Sequence, residues 1–163
     1  MPMPRLYRPD SLMSRRLRQM YAGGRGDAVA RRYARLWATV FGLGVLPSRW
    51  VTLEVRGRRS GEIRRFPLGL TWTGGHEYLV SMLGECAWTR NVRAADGKVV
   101  LRGRHTRAVR LVEVPVRDRA PVIKAYVDQV PGGRPHIPVP PGRPTAAYQG
   151  VAGQHPVFEV LPQ

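Results

Sequence analysis

The sequence contains one cysteine, Cys86, so neither an intramolecular disulfide nor a cysteine metal cluster can form. Its four histidines are far apart and have no second ligand at metal-binding spacing, so no metal site is predicted. No run of 18 apolar residues occurs, and the first 18 residues are rich in arginine and proline without an apolar core. We therefore expect a cytoplasmic protein without a signal peptide.

Acidic residues are also scarce: 11 aspartates and glutamates stand against 27 lysines and arginines, which gives a net charge of +16. The few carboxylates are scattered, and this disfavours hydrolysis by a carboxylate pair. Neither a Gly-x-Ser-x-Gly elbow nor a Walker-type phosphate loop is present. The side chains are therefore poorly equipped for difficult chemistry on their own, as in enzymes that depend on a cofactor, and the positive charge favours anionic partners.

A basic nucleic-acid-binding protein is one alternative that the positive charge suggests. Such proteins combine a basic stripe with interleaved aromatic side chains. That pattern is absent from the first two predicted helices and from the predicted strands. We therefore expect no nucleic-acid partner.

The chain is organised around a predicted β-hairpin in its centre. Val51, Leu53 and Val55 alternate with polar residues, and the alternation resumes from Phe66 to Trp72, as in strands with one buried face. Closing these and the later strands into a barrel would remove exposed sheet edges. The predicted fold is mainly β with flanking helices: an antiparallel barrel from residues 50–116 and 156–161, outer helices at 27–41 and 118–130 (the second capped by Asp118), a short helix at 87–95, and an irregular proline-rich stretch at 134–145.

The N-terminal region is basic and predicted to be helical. After an extended arm, residues 11–21 and 27–41 form two amphipathic helices with arginines away from their apolar sides. The apolar side of the second helix predicts packing against the barrel, and the alternative is peripheral contact with an anionic membrane. The apolar side of the second helix consists of Val29, Tyr33, Leu36, Trp37 and Val40.

We expect one structural domain, with the arm and helices in 1–48 and a cofactor-binding barrel in 49–163.

The tip of the central hairpin carries groups that suit an anion. Residues 57–61 have the sequence Gly-Arg-Arg-Ser-Gly, and Arg64 follows closely. Glycine permits the positive φ values of a tight turn, and guanidinium and hydroxyl groups bind phosphate or carboxylate oxygens. The alternative is a solvated hairpin tip without a ligand.

Several short motifs occur in a definite order around this hairpin. They are Gly57-Arg58-Arg59-Ser60-Gly61-Glu62-Ile63-Arg64, Pro67-Leu68, Ser81 at a strand end, and Trp88-Thr89-Arg90-Asn91-Val92-Arg93-Ala94 on a short helix. In this order and spacing they resemble the deazaflavin-dependent nitroreductase family, small split-barrel oxidoreductases that use 8-hydroxy-5-deazaflavin (coenzyme F-420). The resemblance covers roughly residues 50–116.

The resemblance implies a split antiparallel β-barrel of the FMN-binding type. It also implies hydride transfer between reduced F-420 and a small electrophile such as a quinone, an enone or a nitro compound. Carried over to this sequence, the resemblance implies that the phosphate and the glutamate tail are held by Arg58, Arg59, Ser60 and Arg64, and that Arg90 helps to neutralise the tail. It implies that the ring is lined by Pro67, Leu68, Ser81 and Met82, and that the pocket is closed by Trp88 and Asn91.

The resemblance identifies no catalytic residue. A proton comes from solvent or from a tyrosine, for which Tyr126 and Tyr148 remain by elimination. Gly69 stands where many family members place a tyrosine, and Met82 where better-known nitroreductases often carry a lysine. The closest alternative is a split-barrel protein that binds FMN, or a lipid instead of any redox cofactor. The protein is expected to be a monomer or a homodimer.

Overall fold

The computed structural model describes residues 28–43 and 47–163. The predicted N-terminal arm, the helix at 11–21 and residue 27, where the second helix is predicted to begin, lie outside the described residues. The division of the chain between residues 48 and 49 stays a prediction.

Six antiparallel strands form a closed barrel in the order β1-β2-β3-β6-β5-β4, and β4 pairs with β1 to complete it. The predicted fold class is therefore confirmed. The proline-rich stretch is irregular, as expected, apart from a 3-10 turn at Arg134–His136. The strands are β1 (Trp50–Arg56), β2 (Ile63–Thr73), β3 (His76–Val80), β4 (Lys98–Arg102), β5 (Arg107–Glu113) and β6 (Val157–Pro162).

The barrel forms because each strand presents apolar side chains on its inner face. Leu53 of β1 pairs with Phe66 of β2 on one side and with Leu101 of β4 on the other, so the register aligns apolar residues around the barrel. Leu53 and Leu101 are fully buried. The inner core also contains Val51, Val55, Leu70, Leu79, Val99, Val109, Leu111, Phe158 and Val160.

Helix α1 (Ala28–Gly42) contacts β1 and β2, and of its side chains that the structure describes the fully buried ones are small. Ala30 and Ala38 are buried, and the Thr52 hydroxyl donates a hydrogen bond to the Ala38 carbonyl oxygen. The predicted packing of this helix on the barrel is confirmed, but most of the predicted face stays exposed, because alanines allow a closer approach to the strand. Four of the five side chains on that face are 43–59% exposed, namely Val29, Tyr33, Leu36 and Trp37.

Two further helices complete the hydrophobic core. Helix α2 (Ala87–Ala94) inserts Trp88 and Val92 into the inner core of the barrel. Helix α3 (Ala120–Gln129) packs outside the barrel, where Ile123 and Val127 contribute to a second apolar cluster. Both helices lie where the sequence predicts them, at 87–95 and within 118–130.

Two further differences concern the C-terminal third of the chain. Asp118 does not cap α3, because it ends a 3-10 turn (Val116–Asp118) and the helix begins at Ala120. Arg119 occupies the cap position without a side-chain capping bond. Helix α4 (Ala146–Gln149) has no counterpart among the predicted elements, because it is only one turn long and shows no periodic pattern.

Candidate functional site: an apolar cavity beside an arginine-rich turn

A cavity of about 640 Å³ lies between the barrel and the helices α1 and α3. Its walls are almost entirely apolar, as in sites that bind flat ring systems with a few polar groups for orientation. The lining residues are Tyr33, Ala34 and Trp37 of α1, Trp50 of β1, Phe66, Pro67, Leu68 and Gly69 of β2, Val80 to Leu83 at the end of β3 and after it, Trp88 of α2, Tyr126 of α3, and Val130, Gly132 and Gly133 after α3.

Five of the residues predicted to bind the cofactor line this cavity: Pro67, Leu68, Ser81, Met82 and Trp88. Strand β2 supplies the first two, and the turn after β3 supplies the next two. Trp88 is held in place by Phe158, whose ring centroid lies 5.4 Å away in a tilted arrangement. The structure therefore brings together residues that are up to 21 positions apart in the chain (67 to 88).

Ser81 fixes the turn that forms one wall of the cavity. Its hydroxyl donates a hydrogen bond to the Gly84 carbonyl oxygen at 2.6 Å, and its backbone N–H donates to the Pro156 carbonyl oxygen at 2.8 Å. Its own carbonyl oxygen accepts a hydrogen bond from Nδ1 of His155 at 3.0 Å. Because these groups are engaged within the protein, Ser81 orders the wall rather than presenting a free donor to the ring.

The arginine-rich turn joins β1 to β2 and spans residues 57–62. The N–H of Gly61 donates to the Gly57 carbonyl oxygen at 2.8 Å, and the N–H of Gly57 donates to the Glu62 carbonyl oxygen at 2.7 Å. Gly61 has a φ of 72°, which favours glycine. Gly57 is favoured for a different reason, because a Cβ there would lie 3.0 Å from the Ser60 hydroxyl oxygen.

The arginines of this turn have different partners. Asn91 accepts hydrogen bonds from the backbone N–H and the guanidinium of Arg58, at 3.3 and 2.9 Å. Arg64, just beyond the turn on β2, donates to the Ser60 hydroxyl oxygen at 3.3 Å and forms an exposed ion pair with Glu62 at 3.2 Å. The side chain of Arg59 is exposed.

Asn91 has a different position from the one expected. It is buried, but it is not among the described residues that line the cavity, so it does not close the pocket directly. It holds the arginine-rich turn instead. Arg90, its neighbour on α2, is exposed.

The cavity and the arginine-rich turn are adjacent. Phe66 in the cavity wall and Arg64 are two residues apart on β2, so their side chains leave the same face of the strand about 7 Å apart at the usual rise. Trp88 in the wall and Asn91 under the turn are three residues apart on α2, so they lie on neighbouring positions of one helix face. One elongated ligand can therefore contact both places.

An ion-pair network surrounds the outer side of α2. Arg93 donates hydrogen bonds to Glu113 at 2.7 Å and to Glu85 at 2.6 Å. The hydrogen bonds to these two carboxylates raise the pKa of Arg93, although burial opposes the rise. The hydrogen bond with Arg93 lowers the pKa of Glu85 against the effect of burial. The positive charge of Arg93 thereby offsets the negative charge of both carboxylates near a site that is suited to an anion.

The α1 and α3 walls of the cavity are not indicated by the sequence. By sequence, Tyr126 is only one of two tyrosines left by elimination, and Tyr33 and Trp37 are only packing residues. The other tyrosine, Tyr148, is fully buried outside the described lining, and its hydroxyl donates to the Pro140 carbonyl oxygen at 2.9 Å. Gly132 and Gly133, directly after α3, are a sequence signal that could have indicated this wall, because glycine lets the backbone approach a ligand closely.

The described part of the chain offers neither a metal cluster nor a membrane-crossing helix. Residues 28–43 and 47–163 contain no group of three or more histidine, cysteine, aspartate or glutamate side chains that is arranged to hold a metal ion. Within the same ranges, every helix is too short or too polar to cross a membrane.

The barrel, its apolar cavity and the neighbouring basic turn define a cofactor-dependent oxidoreductase of the split-barrel class. The family model described as F420H(2)-dependent quinone reductase matches residues 28–134. The chain therefore belongs to this family and is an oxidoreductase that uses the deazaflavin coenzyme F-420. A comparison with curated proteins finds no significant match.

Two solved structures, each with a TM-score of 0.50, share the fold. A conserved hypothetical protein from Mycobacterium tuberculosis is 14% identical, with a TM-score of 0.50 over 77% of this chain and 79% of that chain. A protein of unknown function from Agrobacterium tumefaciens is also 14% identical, with a TM-score of 0.50 over 82% of this chain and 54% of that chain. A structure described as an F420-H2 dependent reductase is 24% identical, with a TM-score of 0.49 over 71% and 96% of the two chains.

The residues present fit F-420. The cavity offers apolar and aromatic walls for a flat ring, and the arginine-rich turn offers guanidinium and hydroxyl groups for a phosphodiester and carboxylates. Their adjacency matches a cofactor that carries a ring at one end and an anionic tail at the other.

Proposed function

We propose that this chain reduces a quinone to a hydroquinone with reduced F-420 as the hydride donor. The observation that carries the proposal is the adjacency of the apolar cavity and the arginine-rich turn. When bound, reduced F-420 supplies a hydride, which is two electrons and one proton, and a second proton from water completes the hydroquinone.

The cavity residues of β2 and α2 hold and orient the ring. Pro67, Leu68 and Trp88 provide rigid apolar surfaces that exclude water, and Met82 adds an adaptable one. Ser81 keeps the turn after β3 in place through its hydrogen bond to Gly84. The effect of these residues on the rate comes from positioning.

The arginine-rich turn binds the phosphate and the glutamate tail. Arg58, Arg59, Arg64 and the Ser60 hydroxyl supply the donors, and Arg90 on α2 adds positive charge nearby. Asn91 acts indirectly, because it holds Arg58 in place. This surplus of positive charge favours a polyanionic tail over the single phosphate of FMN.

The test is oxidation of reduced F-420 by a soluble naphthoquinone, followed by the absorbance of the oxidised cofactor. We expect turnover that requires the protein, and no increase over the protein-free rate when reduced FMN replaces reduced F-420. An enone and a nitroaromatic compound, assayed in parallel, determine whether these acceptors are also reduced. Absence of quinone reduction at saturating cofactor would contradict the proposal.

Peripheral contact with an anionic membrane is a second proposal, supported by the exposed apolar side of α1. Val29, Leu36 and the following Leu43 are 56–68% exposed, and Arg32 and Arg35 are exposed on the same helix. Sedimentation with vesicles of anionic or neutral lipid tests it. We expect binding to anionic vesicles only, and weaker binding for Leu36→Ser. Equal recovery in the supernatant with both vesicle types would contradict it.

A further inference from the structure

Tyr126 is a buried polar residue in the wall of the apolar cavity. It lies on α3 and is 4% exposed. Its ring packs closely against Gly133, where a Cβ would lie only 2.1 Å from the tyrosine hydroxyl oxygen. Gly133 also lines the cavity, so the hydroxyl lies at the cavity wall, and no larger residue at position 133 would leave the ring in this place.

No hydrogen bond joins the Tyr126 hydroxyl to another residue in the described ranges 28–43 and 47–163, and its oxygen is not among the fully buried polar atoms that lack a partner, so it is accessible from the cavity. A donor that is accessible in an apolar cavity can form its hydrogen bond with a ligand or a water there. Tyr148, which is also buried, differs in this respect, because its hydroxyl already donates to the Pro140 carbonyl oxygen. Burial raises the pKa of Tyr126, so its hydroxyl stays protonated near neutral pH and remains a hydrogen-bond donor.

We propose that the Tyr126 hydroxyl donates a hydrogen bond to a carbonyl oxygen of the quinone. This inference rests on the proposed function. The residues assigned to the ring belong to β2, to the turn after β3 and to α2, on the side that continues into the arginine-rich turn. Tyr126, Val130 and Gly133 belong to α3 and the segment after it, and this side of the cavity is left for the substrate.

The hydrogen bond would both orient the quinone and assist its reduction. Negative charge develops on the carbonyl oxygen as the hydride is transferred, so a donor fixed in an apolar site stabilises the transition state more than the bound substrate. A hydroxyl that stays neutral adds no net charge to the cavity.

The test compares Tyr126→Phe with the matched control Tyr148→Phe, since each removes one buried hydroxyl. For Tyr126→Phe we expect kcat/KM for a soluble naphthoquinone to fall about 10- to 100-fold. Affinity for F-420 should stay within about twofold of wild type, and quinone binding to the cofactor-free protein, followed by tryptophan fluorescence quenching, should weaken several-fold. Tyr148→Phe should change none of these three quantities.

Two results would overturn the inference. One is Tyr126→Phe with wild-type quinone binding and kcat/KM, which would mean that the hydroxyl bonds only to water. The other is a loss of F-420 affinity in Tyr126→Phe as large as its loss of quinone binding, which would place the hydroxyl against the cofactor. Failure of the proposed function is a separate result, because the wild-type protein itself would then show no quinone turnover.

Discussion

The side-chain oxygen of Asn91 accepts two hydrogen bonds from Arg58, one from the backbone N–H at 3.3 Å and one from the guanidinium at 2.9 Å. Asn91 is only 4% exposed, so this contact is made at the buried base of the arginine-rich turn. The same helix places Trp88 in the cavity wall. Helix α2 therefore sets the position of the arginine-rich turn relative to the cavity.

Replacing Asn91 by alanine should loosen the turn and weaken F-420 binding. We expect a loss of about 1–2 kcal/mol, the usual range for one or two hydrogen bonds of which one involves a charged group. Fluorescence titration with F-420 measures it, and thermal unfolding of the same variant reports any loss of stability. Asn91→Asp is the control because it keeps an acceptor for Arg58. An alanine variant that binds F-420 like the wild type would show that the contact has no role in binding.

Gly69 is predicted to be intolerant of any side chain. A Cβ there would lie 2.9 Å from Val130 Cγ1 and 3.3 Å from the Trp50 ring, so Gly69→Ala should destabilise the protein by about 1–3 kcal/mol. Gly132→Ala is the matched control, because Gly132 lines the same cavity and a Cβ there meets nothing within 4 Å. Chemical denaturation of both variants measures the difference. Equal stabilities would mean that Val130 moves away without cost.

His155 should make stability depend on pH. Burial lowers its pKa, although the hydrogen bond to Ser81 opposes this, so the unfolded chain takes up a proton near pH 6.5 while the folded chain does not. Stability should therefore fall as the pH drops below that value, by at most about 1.4 kcal/mol per pH unit. Denaturation at several pH values between about 7 and 5 measures the slope, and His155→Gln should reduce it. An unchanged slope in the variant would assign the dependence to other groups.

The barrel strands are predictable because alternating residues report directly which side of a strand is buried. Leu53 and Leu101 illustrate this, since both lie where the alternation places them. The order of the motifs also predicts that Pro67, Leu68 and Trp88 face the cavity, although it misplaces Asn91. Local sequence contains this information because each of these residues acts through its own strand or helix.

Contacts between distant elements are not predictable in the same way. The apolar side of α1 suggests packing, but the helix uses its alanines because Thr52 and Ala38 approach closely. Nothing in the sequence near Tyr126 shows that its hydroxyl lies at a cavity wall, since that depends on how α3 docks on the barrel. Asn91 stands out in the sequence as an amide in need of a partner, but its partner, Arg58, is 33 residues away.

The central claim is that one F-420 molecule spans the cavity and the arginine-rich turn. Its most direct test is a fluorescence titration with F-420 carrying no, two or five glutamates, at fixed ionic strength, for the wild type and for the Arg58→Ala/Arg59→Ala double variant. For the wild type we predict an affinity that rises with tail length and falls with added salt. The double variant should bind the long-tailed cofactor about 2–5 kcal/mol more weakly and lose the dependence on tail length. Identical titration curves for the two proteins, or an affinity independent of tail length in the wild type, would contradict the claim.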